Sequence, residues 1–468
     1  MRTVPEDIAM NQLTNTQTRD VEALLHPYTN ARQVRLDGAH VIERGEGVRV
    51  FDQAGKGYIE GMAGLWCCGL GFGDAEVADA AREQYGKLPY YHLFGGRSHE
   101  PAIELAEKIK DLAPDMARVI YQSSGSEAND TQIKLVWYMN NALGRPEKKK
   151  IISRKKAYHG VTIVSASLTG LPYNHRDFDL PVDGIKHTST PHFWREGKPG
   201  ETEAEFAKRM AEDLEALIIA EGPETVAAFI AEPVMGAGGV IIPPAGYFPA
   251  IAAVCKKYDV HMIADEVITG FGRTGEWFGS DTLEMPRNSM SLAKQLTAGY
   301  APLSAVAMDS RMAEAIESNS GTIGTFGHGF TYGGHPVSCA VGAKVLDIYR
   351  ERDIVGQVKK IAPLFATKLN AYKDHPLVGE VRALGLVGAL ELTPDGTATP
   401  FEQPGKVGAK LGTELLARGV ILRSIGDSMA FCPPMIITEA EIEEMFAPME
   451  EALDATYAWG KAEGFVKG

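Results

Sequence analysis

Two strand-like runs in this sequence end in charged residues whose types could do chemistry. Val260 to Ala264 is apolar, as expected of a buried strand in a parallel sheet, and Asp265 and Glu266 stop it abruptly. Alternate residues on a strand share a face, so Asp265 and Val267 are expected to point the same way. A loop with three glycines, Gly270 to Gly275, follows. A second apolar run, Met290 to Ala293, then ends in Lys294. A lone lysine is most often a surface residue. One buried without a partner is driven toward its neutral amine, the form that attacks a carbonyl.

A third stretch could hold an anion. Val119-Ile120-Tyr121 reads as a short strand, and Ser123-Ser124-Gly125-Ser126-Glu127-Ala128-Asn129 then opens a helix running to about Asn140. Glycine and serine at such a junction expose backbone N–H groups at the positive end of a helix. Alone, the pattern is more often a cap than a binding site. A buried carboxylate and a lysine on neighbouring strand ends suit pyridoxal phosphate. The carboxylate would keep the pyridine nitrogen protonated, and the lysine would hold the aldehyde as a Schiff base.

The run Asp265-Glu266-Val267-Ile268-Thr269-Gly270-Phe271-Gly272-Arg273-Thr274-Gly275, with Ser291-Leu292-Ala293-Lys294-Gln295-Leu296-Thr297-Ala298-Gly299-Tyr300 after it, resembles the signature of class III pyridoxal-phosphate aminotransferases. The resemblance extends over nearly the whole chain and is strongest to (S)-selective amine:pyruvate, or omega, transaminases. It implies a fold-type I α/β protein, with a mostly parallel sheet flanked by helices and a smaller α+β domain built from both chain ends. The implied divisions are 1–65, 66–339 and 340–468. It makes Lys294 and Asp265 the catalytic pair. It casts Ser124, Gly125 and Ser126 as the phosphate cup and Tyr158, beside His159, as the ring-stacking residue. Val267 would pack on the other ring face, and Glu232 would lie near the phenolic edge. Phe330 and Thr331 would reach the phosphate across a homodimer interface, with a tetramer left open.

For the substrate, the resemblance implies a pocket made by Tyr28, Trp66, Phe94 and Val161, with Arg97 coming from the partner subunit. Arg423 matches a mobile arginine that takes the carboxylate of pyruvate, since a planar guanidinium grips a carboxylate at two points. Two positions depart from the family pattern. Gln295 follows the lysine where glycine is usual, and Gly95 stands where relatives can carry an aromatic residue. The same scaffold also serves beta-alanine, taurine and diamine transaminases and aminomutases. A catalytically silent binding protein is the competing class, and the filled cofactor positions speak against it.

Composition sets the outer bounds. The chain has 468 residues, 44% hydrophobic content and a formal net charge of −14, enough for a large core and a poor match to nucleic acid or anionic membrane. Its five cysteines include the adjacent pair Cys67-Cys68 and no Cys-x-x-Cys, so neither a disulfide framework nor a zinc site is indicated, and a reducing cytoplasm is expected. Met1 to Asp20 is polar and lacks a signal peptide's apolar core. No internal repeat is visible.

The elements that must position these residues follow from periodicity. Helices are expected over Thr14 to Leu25, Pro101 to Leu112, Ala204 to Ile219, Gly246 to Tyr258 and Val337 to Arg350. Gly47 to Ile59 reads as a hairpin. Strands are expected at Ile151 to Ser153, Val226 to Ala231, Leu303 to Met308, Leu386 to Glu391 and Gly419 to Leu422. Tyr173 to Pro199, rich in proline and histidine, reads as a long surface loop rather than a metal site. Met235 to Gly239 does not match Gly-x-Gly-x-x-Gly and precedes prolines, which excludes a dinucleotide loop.

Overall fold

Strand–helix alternation through the middle of the chain builds one seven-stranded sheet in the computed structural model, which describes residues 13–466. The first twelve residues, which include most of the polar N-terminal stretch, lie outside the described residues. In chain order the strands are β1 (Arg118–Gln122), β2 (Lys150–Arg154), β3 (Ile185–Thr188), β4 (Val226–Ala231), β5 (His261–Asp265), β6 (Ser289–Leu292) and β7 (Ser304–Met308). Their spatial order is β1-β7-β6-β5-β4-β2-β3. Only β7 runs against its neighbours, pairing antiparallel with β1 and β6. The other pairings are parallel.

Strands β4 to β7 are buried along their whole length, which is why they read as unbroken apolar runs rather than alternating ones. Helix Gly125–Ala142 covers one face through Ile133, Val136 and Met139. Helices Glu203–Glu221 and Tyr247–Lys257 cover the other through Phe206, Leu214, Phe248 and Ile251. Each such side chain, fully buried, contributes about 1.5–3 kcal/mol. The sheet is therefore a stiff base, and the carboxyl ends of its parallel strands point to one edge. Ser123, Glu232, Asp265 and Lys294 each lie at or just past such an end, where open α/β sheets bind ligands.

Two smaller sheets flank this layer. Ile42–Glu46, Arg49–Asp52 and Gly57–Glu60 form a meander, and Val420–Ile421 joins it in parallel through Val420 opposite Ile59. Both ends of the chain thus share a sheet. Val378–Leu384, Val387–Leu392, Arg423–Ile425 and Ser428–Phe431 form the second, antiparallel throughout, with Arg423 opening its edge strand.

The expected helices and strands are present, with ends shifted by a few residues. Thr14 caps helix Asn15–Ala23 through a reciprocal bond with Gln17. The stretch from Tyr173 to Pro199 is not one long loop. It contributes β3, the outermost strand of the central sheet, and a helical turn at Phe193–Glu196. Its histidines are structural: His192 Nε2 lies 2.7 Å from Glu380 Oε2, and His187 Nε2 is 3.2 Å from the Leu168 carbonyl. No group of three metal-ligating side chains occurs among the described residues, and no described helix is long and apolar enough to cross a membrane.

Candidate active site

The strand ends enclose a cavity of 480 Å³. At its floor β5 delivers Asp265, which is 4% exposed. Three donors hold its carboxylate. Asn129 Nδ2 donates to Oδ2 at 2.7 Å, His159 Nδ1 lies 2.7 Å from the same oxygen, and the Val267 N–H donates to Oδ1 at 3.1 Å. Facing a carboxylate, His159 Nδ1 carries the proton. Asn129 is tied down in turn by donating to the His159 carbonyl at 2.7 Å. These bonds fix the Asp265 carboxylate at the cavity floor.

Lys294 lies across the floor, just past β6, and begins a short 3-10 turn with φ of 44°. Its side chain has no hydrogen bond or ion pair among the described residues. Burial pulls its ammonium below the usual lysine range, while Asp265 opposes that shift. The left-handed conformation costs roughly 1–2 kcal/mol, strain of the kind stored at functional sites. Gln295 helps to hold the turn. Its Nε2 donates to the Trp66 carbonyl at 3.0 Å, and its own carbonyl accepts from Tyr349 at 3.2 Å. The departure from glycine therefore ties the lysine turn to the loop that carries Trp66.

Helix Gly125–Ala142 points its N-terminus into the cavity. Ser124 is its cap, accepting from Glu127 N–H at 3.2 Å, and Ser304 Oγ donates to the Ser124 carbonyl at 2.7 Å. Ser126 Oγ accepts from the Val161 N–H at 3.1 Å. Gly125 packs tightly, since a Cβ there would lie 3.1 Å from Val267 Cγ1. Cap and anion site are here the same structure: the cap fixes the turn, and the remaining N–H groups face the cavity.

Glu232 closes the inner wall. It accepts from the N–H groups of Tyr158 and Gly236, each at 2.9 Å, and burial raises its carboxyl above the usual range. Tyr158 stands between Glu232 and the outer aromatics, edge-on to Tyr28 at 6.5 Å between centroids. Burial pushes its phenol up as well. Tyr28 and Tyr173, 6.2 Å apart and edge-on, form the outer rim with Arg423, and Asn174 Nδ2 donates to the Tyr28 hydroxyl at 2.6 Å.

Most of the sequence-derived residues meet in this cavity: Lys294, Asp265, Ser124, Gly125, Ser126, Tyr158, His159, Glu232, Val267, Tyr28, Trp66 and Arg423 all line it. Val161 lines an adjoining chamber instead. Phe94, Arg97, Phe330 and Thr331 stand outside the cavity of their own chain. Their two loops pack together on the surface, with Phe94 against Gly329 and the Tyr90 hydroxyl donating to the Thr331 carbonyl at 2.8 Å. Gly95 sits there too, with φ of 63°. Sequence reasoning missed Asn129 and Tyr173. Asn129 closes the Ser-Gly-Ser-Glu-Ala-Asn run, one turn inward from Gly125, and its partner Asp265 lies 136 residues away.

The donor set fits pyridoxal phosphate. A helix N-terminus suits the phosphate, a carboxylate held by three donors suits the ring nitrogen, and an unpaired amine suits the aldehyde. Buried polar atoms without a partner, His159 Nε2 and Asn129 Oδ1, cluster around the carboxylate.

Comparison with known proteins agrees. The family profile Aminotransferase class-III matches residues 31–453. Gamma-aminobutyrate transaminase 1, mitochondrial, of Oryza sativa subsp. indica is 49% identical over 436 residues, 92% of this chain and 84% of that protein. A gamma aminobutyrate transaminase 3, chloroplastic, of Solanum lycopersicum is 50% identical over 89% of this chain and 81% of its own length. The crystal structure of the omega transaminase from Pseudomonas jessenii in complex with PMP superposes with a TM-score of 0.94 at 49% identity, covering 95% of this chain and 99% of that one. With the family matched across most of its length and the cofactor's donors gathered at the strand ends, the chain belongs to the class III aminotransferases, pyridoxal-phosphate-dependent enzymes of fold type I.

Proposed function

We propose that this enzyme moves an amino group from a primary amine, with or without a distant carboxylate, to pyruvate, leaving a ketone or aldehyde and alanine. The observation that carries this reading is the outer rim: three aromatic side chains, Tyr28, Tyr158 and Tyr173, beside the guanidinium of Arg423, which has no ion pair among the described residues. An apolar amine needs the aromatics, and an acid needs the cation, so one cavity can take both in turn. The solved omega transaminases of the same fold support this.

The cofactor, when bound, withdraws electrons from the substrate and carries the amino group between the two half-reactions. The chain's own residues do the rest. Asp265 supplies a negative charge fixed by three donors, so no reorganisation is needed as charge develops. Lys294 Nζ, lowered toward neutrality by burial, takes the proton from the carbon that bears the donor's amine, holds it and returns it. The N-terminal N–H groups around Gly125 and Ser126 orient the phosphate. Arg423 turns in for the carboxylate of pyruvate and out for an apolar donor.

The enzyme is further proposed to act as a homodimer. Tyr90, Tyr91, Phe94 and Tyr332 expose large apolar surfaces around the two surface loops, and a second copy would cover them. Phe330, Thr331 and Arg97 would then serve the partner's cavity. A cytoplasmic location is proposed from the five free cysteines.

The second reading is a γ-aminobutyrate donor, favoured by the names of the curated relatives and compatible with the same arginine. A donor panel with pyruvate separates the two. Alanine formed from 1-phenylethylamine at a rate comparable to that from γ-aminobutyrate supports the broad amine reading. Alanine from γ-aminobutyrate alone favours the second, and alanine from no donor overturns both.

A further inference from the structure

Past the rim formed by Tyr28, Tyr173, Ala237 and Arg423, the reaction cavity adjoins a second chamber of 1330 Å³. Those four residues line both spaces, so the rim is a shared throat. The outer walls are largely apolar, with Leu171, Phe178, Leu180, Phe401 and Ile425 among them.

The chamber's charged residues fall into two sets. Most are already committed. Arg195 donates to Glu391 Oε1 at 2.6 Å, and Arg382 donates to Glu391 Oε2 at 2.6 Å. His192 bonds Glu380, while Asp427 accepts from the N–H groups of Gly405 at 2.7 Å and Gly408 at 3.0 Å. Lys156 and Arg423 are different. Neither side chain has an ion pair or hydrogen bond among the described residues. The root of Lys156 is nonetheless fixed: its N–H donates to the Gly170 carbonyl at 2.9 Å, and its φ is 65°. Burial pulls its ammonium below the usual lysine range; the Glu391 carboxylate opposes that shift from a distance, but it is already bonded to Arg195 and Arg382 and makes no direct contact with Lys156. One unpaired cation at the throat and another in the chamber, with apolar wall around them, describe a long ligand that is anionic at two points.

We propose that Lys156 and Arg423 form a two-point subsite for substrates carrying two carboxylates, the nearer on Arg423 and the farther on Lys156, with the hydrocarbon between them against the outer walls. This extends the reading in which Arg423 receives the carboxylate of an acid substrate. The chemical class is a straight-chain α,ω-diacid with its keto or amino group at the Lys294 end. Monoacids would use Arg423 alone.

The test uses unreactive probes on the holoenzyme. Pimelate and heptanoate have chains of equal length and differ by one carboxylate, and calorimetric titration gives both dissociation constants. Wild type is expected to bind pimelate about tenfold more tightly than heptanoate, the scale of one charge-assisted contact out of bulk water. Lys156→Met removes that advantage while heptanoate stays within about twofold, and Lys156→Arg restores it. The proposal is overturned if wild type does not prefer the diacid, a result that needs no variant to fold. It is equally overturned if Lys156→Met weakens both probes alike or neither. Failure of the amine:pyruvate reading would show separately, as absence of alanine from pyruvate in the wild-type enzyme.

Discussion

The floor of the cavity and the chamber beyond its throat are built on opposite terms. At the floor, polar groups are tied to one another: Asp265, His159 and Asn129 are joined by contacts of 2.7 Å, and Glu232 is held by two backbone N–H groups. Asp265 and Glu232 sit at the ends of buried strands, and Asn129 and His159 are themselves buried, so their positions are set by a packed core. Outside, Tyr28 is 55% exposed, Arg423 opens a three-residue edge strand, and the side chains of Arg423 and Lys156 have no hydrogen bond or ion pair among the described residues. Fixed chemistry and adjustable selectivity have thus been assigned to different layers. A rigid floor reacts with whatever the outer layer admits.

The sharpest way to break that division is at Lys294. Lys294→Ala removes the amine that moves the proton, so activity is expected to fall by at least about 10⁴-fold with every donor alike. The visible absorbance of the bound cofactor is expected to change with it. A loss that depended on donor size would mean the floor also selects.

One buried carboxyl beside the cavity and one in the outer chamber are expected to respond to pH with opposite sign. Glu60, under the loop that carries Trp66, is buried, and burial raises its carboxyl to about 8. Its folded form keeps a proton that the unfolded chain gives up above about 4.5. Stability from this group is therefore present below about 4.5 and lost as pH rises toward 8. At Glu391 in the outer chamber burial also pushes upward, but Arg382 and Arg195 overcome it and bring the carboxyl down to about 2. Its stability is present above about 4.5 and lost as pH falls toward 2. Chemical denaturation across pH should show Glu60→Gln flattening the alkaline decline. Glu391→Gln should instead destabilise the protein at neutral pH by roughly 1–3 kcal/mol, because it removes the carboxylate shared by buried Arg382 and half-buried Arg195, each of which keeps other partners.

The same contrast explains what the sequence disclosed. Charges that end apolar runs are conspicuous, so Asp265, Glu232 and Lys294 could be found without coordinates, as could the strands that carry them. Asn129 escaped because its role depends on β5 lying beside its helix, which no local pattern records. β3 escaped because it is four residues long, carries lysine and histidine at its middle positions, and draws its order from β2 alone. His192 looked like part of a loose loop because its partner, Glu380, lies 188 residues away. Arg97, Phe330 and Thr331 are assigned by resemblance alone, since one chain does not bring them to its own cavity.

At the throat the effect should be selective rather than general. Arg423→Ala is expected to raise the KM for pyruvate by about tenfold or more, the scale of a lost bidentate contact, and to leave that for a carboxylate-free amine within about twofold. Steady-state kinetics with both substrates checks this. Equal losses would make Arg423 part of the floor's architecture and dissolve the boundary drawn between the two regions.

The smallest effect is expected farthest out, at Gly95. The resemblance makes Gly95 a position where a larger residue narrows the substrate pocket, yet Gly95 does not line the cavity of its own chain and has φ of 63°. Any side chain at that angle is strained by about 1 kcal/mol, and a Cβ would lie 3.2 Å from Arg97 Nη1. Gly95→Phe should therefore lower stability slightly whatever the assembly. Its effect on donor preference depends on a second copy. If the loop serves the partner's cavity, bulky amines should lose several-fold against small ones, because the added ring occupies their space. If the preference is unchanged while the denaturation midpoint falls, the loop is only a surface feature, and the outer layer of selectivity ends at Tyr28, Tyr173 and Arg423.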